Sequence, residues 1–113
     1  MAKVAAVENS RMIIGGLGQA YKTVIYAASA STNTLTDEDS GKTVYWTTGT
    51  LTLPDTAEVG QQFVVINNKG SSATPGLGSS NAIASGWTTH AAMDDETART
   101  YIAVAANTWI YIG

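Results

Sequence analysis

The feature that most restricts the fold is a pair of short alternating runs in the middle of the chain. Thr43-Val44-Tyr45-Trp46-Thr47-Thr48 alternates, and after Gly49 so does Thr50-Leu51-Thr52-Leu53. A period of two sends successive side chains to opposite faces of a strand, whereas a helical stripe recurs every three or four residues. Val44, Trp46, Leu51 and Leu53 therefore mark the candidate buried faces. Pro54 ends the second run, because proline cannot donate to a sheet ladder. The wider enrichment in Thr, Val, Ile, Tyr and Trp suits the same pleated geometry.

Other segments repeat the signal. Lys22 to Ala28 reads as an earlier strand. Gln62 to Asn67 is a short continuous apolar run, read as a strand buried on both faces, with Gly60 before it and Asn67-Asn68-Lys69-Gly70 after. Ala82 to Trp87 reads as another short strand. Tyr101 to Ala105 and Trp109 to Ile112 form a pair, joined by a tight turn at Ala106-Asn107-Thr108. Short strands separated by turn residues predict an all-β chain: a single compact antiparallel β-sandwich or barrel-like domain of six to seven strands. Residues 1–20 do not alternate, and Gly15-Gly16-Leu17-Gly18 makes an independent element costly there. They read as an extended N-terminal arm ordered against another surface, with residues 21–113 as the β domain. Residues 67–81, rich in Gly and Ser, read as a long surface loop. No internal repeat is evident in the sequence.

A chain of 113 residues bounds this to one domain. Charged residues make up only 13% of it, about half the usual share of roughly 25%. A soluble monomer normally carries more charge, so part of the surface is expected to be covered by something else. The net charge of −3 argues against a nucleic-acid partner, which needs a basic face. The absence of cysteine removes thiol catalysis, zinc–thiolate sites and disulfides. Neither a secretory signal nor a membrane span is recognisable, which predicts synthesis in a cytoplasm and no membrane partner.

Few residues offer chemistry. His90 is the single histidine, with Ser85 and Asp94 as conceivable partners, yet nothing around it resembles a nucleophile elbow, and it reads as a surface or loop residue. Asp37-Glu38-Asp39-Ser40-Gly41 lacks the alternating carboxylates of a calcium loop and reads as a turn into the strand at Lys42. Asp94-Asp95-Glu96 reads as a solvated loop with one helical turn covering Ala91, Ala92 and Met93. The glycines at 15, 16 and 18 fail the spacing of a dinucleotide loop and read as a joint. Trp46, Trp87 and Trp109 suit either a sugar-stacking platform or a small core, with the core favoured. Tyr101 and Tyr111 fall out of phase with Ile102 and Val104, which predicts that some aromatics face a partner chain. No catalytic residue, cofactor or metal is expected, and the chain is not expected to be an enzyme.

One resemblance adds to this. Leu35-Thr36-Asp37-Glu38-Asp39-Ser40-Gly41-Lys42-Thr43-Val44, then Leu51-Thr52-Leu53-Pro54, then Gly60-Gln61-Gln62-Phe63-Val64-Val65-Ile66-Asn67 resembles a β-module of tailed-bacteriophage virion proteins. That module also closes on a tryptophan segment similar to Trp109-Ile110-Tyr111-Ile112-Gly113. Such modules occur in head decoration (cement) proteins, head fibres and tail fibres. The small size, the arm and the lack of a stalk make the chain most similar to a capsid decoration protein. The resemblance implies a structural virion protein on the outer capsid surface. Its partners would be the major capsid protein and its own copies, as a homotrimer, and it would stabilise the expanded shell. Met12, Ile13, Ile14 and Leu17 would anchor the arm on the capsid, with Tyr21 where arm meets domain. The alternative is a receptor- or carbohydrate-binding module of a head or tail fibre, built from the 67–81 loop and the tryptophans.

Overall fold

The alternating run at Thr43 becomes a strand with a parallel neighbour on each side. The structure is a computed structural model that describes residues 22–113. Its strands are β1 (Ile25–Ala28), β2 (Thr32–Thr34), β3 (Thr43–Trp46), β4 (Thr50–Thr52), β5 (Gln62–Asn67), β6 (Ala82–Ile83), β7 (Thr97–Ala105) and β8 (Thr108–Ile112). The helical content of this region is a single 3-10 turn at Asp37–Asp39. One open, six-stranded sheet runs in the order β1-β3-β5-β7-β8-β6, and β2 pairs with β4 in a second, two-stranded sheet.

The sheet is mixed. Strands β1, β3 and β5 are mutually parallel, β7 is antiparallel to both β5 and β8, and β6 is parallel to β8. Ile25 aligns with Thr43 and Thr43 with Val64, so the chain returns to the same place after each excursion. Parallel neighbours need a crossover of a dozen or more residues. Here the crossovers are extended chain, and they build the second sheet: Thr32 aligns with Thr50 in register, and Thr52 bridges in parallel to Gly76. The first half of the domain is thus a short stack of coils.

The corners between the two sheets explain two residue choices. Gly49 has φ +75° and packs under the preceding corner; a Cβ there would lie 2.3 Å from the Ala30 carbonyl oxygen. Asn33, 4% exposed, donates its amide to the carbonyls of Ala30, Thr48 and Thr50 and accepts from the Ala30 N–H. One side chain thereby supplies the backbone partners that a tight corner lacks. Asn67 plays the same part after β5, donating to the carbonyls of Ser71, Met93 and Asp94.

The core lies between the two sheets. Val44, Trp46, Phe63, Val65, Tyr101 and Trp109 point inward from the large sheet and meet Leu35, Leu51, Leu53, Ala57 and Met93. The Phe63 and Trp109 rings pack 6.0 Å apart between centroids. Between the strands, Leu53 and Ala57 of one connection and Ala73, Leu77 and Met93 of the other join this core. The β7–β8 hairpin closes through Asn107 at φ 54°, whose backbone and side chain both bond Ala57.

Several expectations change. The all-β class and the inward set Val44, Trp46, Leu51 and Leu53 agree with the structure. The antiparallel arrangement does not, because coiling pairs β1, β3 and β5 in parallel. Among the described residues there are eight strands where six to seven are expected; the strand expected at 82–87 shrinks to Ala82–Ile83, with Trp87 in the turn that follows. A structural repeat exists where no sequence repeat was evident. Asp94–Glu96 forms a turn with Glu96 at φ 61°, not a helical turn. Of the loop expected at 67–81, Asn67 ends β5 and residues 68–81 form irregular chain, pinned by Ala73 to Met93 and by Gly76 to Leu51 and Leu53. The arm assigned to residues 1–20 lies outside the described residues.

Candidate interaction surface

The side of the large sheet that faces away from the core is nearly as apolar as the side that builds it. Strand β1 presents Ile25 and Ala27 outward, β3 presents Thr43 and Tyr45, and β5 presents Gln62, Val64 and Ile66. The register continues this face through Ala98, Thr100, Ile102 and Val104 of β7 and Thr108, Ile110 and Ile112 of β8. Among the described residues, no charged side chain occupies one of these outward positions. Ile25 is 56% exposed, Ile112 58%, and Tyr45 and Val104 41% each. The solvent side of a sheet normally carries polar and charged groups. An uncharged apolar face of this extent is the candidate interaction surface among the described residues.

The expected phases of β7 and β8 are reversed. Tyr101 and Tyr111 point inward and are buried, while Ile102, Val104, Ile110 and Ile112 point out. A polar network holds the two tyrosines there. Arg99, 6% exposed, donates to Tyr101 OH at 3.1 Å and to the Ala91 carbonyl at 2.7 Å, and its guanidinium stacks 4.1 Å from the Tyr111 ring centroid. Its Nε is buried without a hydrogen-bond partner among the described residues. His90 Nε2 lies 2.8 Å from Tyr101 OH, and Tyr111 OH donates to the Thr89 carbonyl. Burial, and then the nearby Arg99 charge, hold the His90 imidazole below its ordinary pKa. Burial raises the Tyr101 phenol, with the Arg99 hydrogen bond opposing it. Neutral His90 accepting from Tyr101, while Tyr101 accepts from Arg99, gives the Tyr101 hydroxyl both a donor and an acceptor partner. The network ties the 89–92 segment to β7 and β8. It brings neither Ser85 nor Asp94 to His90.

The remaining candidates are scattered. Asp39 accepts from the N–H and hydroxyl of Thr36 and from Lys42 Nζ at 2.7 Å. Burial raises its pKa, but the bonds from Lys42 and Thr36 outweigh that and hold it below the ordinary value. Asp37 accepts from Gln61 Nε2, so this acidic stretch is the turn into β3 that its residues suggest. Asp95 caps the Gly70 N–H. Among the described residues, no three His, Asp or Glu side chains converge as a metal site. Trp46 and Trp109 are core residues, while Trp87 is 44% exposed and donates to the Tyr111 carbonyl, so the three do not make one platform. Met12, Ile13, Ile14, Leu17 and Tyr21 lie outside the described residues, as do Gly15, Gly16 and Gly18.

Sequence reasoning thus missed the surface that the fold displays most openly. The one available signal is Phe63 to Ile66: four apolar residues in succession need cover on both faces, and the described residues cover only one of them fully. No protein-family model matches the chain, and no curated protein and no solved structure matches it either.

Proposed function

We propose that the chain is a structural virion protein of the capsid-decoration type, which stabilises an expanded phage shell by binding its outer surface. The observation that carries this reading is the uncharged outer face of the six-stranded sheet, a surface suited to being covered rather than to meeting water. It accounts for the low charge content, which falls largely on turns: Asp37–Asp39, Asp55, Glu58 and Asp94–Glu96. The two sheets sharing one core support a sandwich-like packing for the domain. The mechanism is physical. A protein that binds only the expanded state of a shell stabilises that state by mass action, in proportion to its occupancy. Shells present local three-fold positions, and a closed trimer of this chain matches them. Met12, Ile13, Ile14, Leu17 and Tyr21 supply the apolar contacts to the major capsid protein.

Co-sedimentation tests the reading. The full chain mixed with expanded shells is expected to pellet with them to saturation and to raise their thermal disruption temperature. A chain lacking residues 1–20 is expected to lose most of that binding. Full occupancy by the truncated chain removes the role given to the arm. Failure of the intact chain to co-sediment at any concentration removes the decoration reading itself.

A further inference from the structure

We propose that the outer face of the six-stranded sheet is where copies of this chain pack on one another. The inference rests on the assembly of copies proposed above, and not on the shell. Its basis is the composition of the face set against the rest of the surface. Ile25, Tyr45, Ile102, Val104, Ile110 and Ile112 lie on one continuous, hydrogen-bonded surface running from β1 across to β8. Ile25, Tyr45, Val104 and Ile112 are each at least two-fifths exposed on it.

Charge selects the occupant. Moving an unpaired charge out of water costs several kcal/mol, so a face without charge favours a partner without charge. Among the described residues, the surface with that property and a matching extent is the same face of a second copy. Residues 1–11 of the chain itself would bring Lys3, Glu8 and Arg11 against it. Residues 12–21 carry no charge, but ten residues laid along the sheet are one strand wide and too few to cover the five strands from β1 to β8. The turns at either end of the sheet would bring Asp37 to Asp39 or Asp94 to Glu96. A contact between like faces buries none of these. Its polar side-chain atoms are hydroxyls and one amide, from Thr43, Tyr45, Thr100, Thr108 and Gln62. These rotate to find partners, and the Tyr45 hydroxyl already accepts from Asn68 at 2.7 Å.

Sedimentation equilibrium of the full chain tests this without any shell present. The wild-type protein is expected to sediment as an oligomer, and Ile112→Lys and Tyr45→Lys each to shift it to the 11.8 kDa monomer. Both positions are exposed, so neither change needs to disturb the fold, and circular dichroism checks that it does not. Val59→Lys is the control: Val59 is 72% exposed but lies in the loop before β5, and its variant is expected to keep the wild-type mass. Wild-type protein that is monomeric throughout overturns the assembly reading together with this inference. Oligomers that survive both face substitutions overturn this inference alone. Monomeric wild type that assembles only after deletion of residues 1–21 assigns the face to that segment instead. Loss of shell binding with assembly intact strikes the decoration reading and leaves this proposal standing.

Discussion

Trp109 and Ile110 are adjacent in β8 and point to opposite sides of one sheet. Inward, Trp109 is fully buried against Phe63 and the second layer, and Trp46, Val65 and Tyr101 share its fate. Outward, Ile110 sits on a face that leaves Ile112 58% exposed. The two faces hardly differ in hydrophobicity. They differ in what covers them: the described residues supply a second layer on one side only. An apolar residue in these strands is therefore buried in the core or left exposed according to its parity, and only the first kind stabilises the monomer by burial.

The sharpest way to break that comparison is to truncate both sides of one strand. Trp109→Ala removes a fully buried ring and is expected to cost about 3–5 kcal/mol. Against a typical domain stability of roughly 5–15 kcal/mol, that brings the fold near its limit. Ile112→Ala, measured by urea unfolding at a concentration where copies are apart, is expected to stay within about 0.5 kcal/mol of wild type. Equal losses at the two positions would show that the outer face is covered within the monomer.

The sequence could not separate these faces for a simple reason. Alternation reveals orientation when one face is polar, as in Thr50-Leu51-Thr52-Leu53, and there the inward set was legible. In Tyr101-Ile102-Ala103-Val104 both parities are apolar, so the phase was open, and the aliphatic set was read as the buried one. What decides it is Arg99: its partners Tyr101, Tyr111 and the Ala91 carbonyl lie on the core side and pull the tyrosines inward. That network joins residues from three separate segments, and no local pattern announces it. Parallel coiling was hidden for a related cause. It depends on register between Thr32–Thr34 and Thr50–Thr52, where threonines carry little phase information and the informative residue is a lone Asn33.

Two corner substitutions probe what keeps the faces distinct. Gly49→Ala sets a Cβ against the Ala30 carbonyl at a backbone angle that suits glycine, so the stacked corner must open. The expected loss is about 3 kcal/mol, most of it beyond the ordinary cost of a left-handed alanine. Asn33→Ala leaves the carbonyls of Ala30, Thr48 and Thr50 without their shared donor and is expected to cost about 2 kcal/mol. Thermal melts check both. If either variant melts like wild type, the corner does not hold the two sheets together, and the second layer is secured by packing alone.

The smallest expected effect comes from charging the inner face by pH. The His90 imidazole is held below its ordinary value of 6.5 by burial and by Arg99, and the other titratable groups facing it are Tyr101 and Tyr111. Above pH 6.5 the imidazole is neutral whether the chain is folded or not, and the network contributes fully. As pH falls below 6.5 the unfolded chain takes up a proton that the folded chain resists, so stability declines until the folded-state pKa is passed. Asp39 is a separate case: its depressed pKa gives stability that is present above 3.8 and lost below it, so a comparison of pH 8 with pH 5 isolates the histidine. Urea midpoints are expected to drop across that window in wild type and to stay level in His90→Gln, which still offers Tyr101 an acceptor. A wild-type profile as flat as the variant's would mean that the 89–92 segment releases its histidine to water at little cost. The inner face would then be sealed by its rings rather than by the Arg99 network.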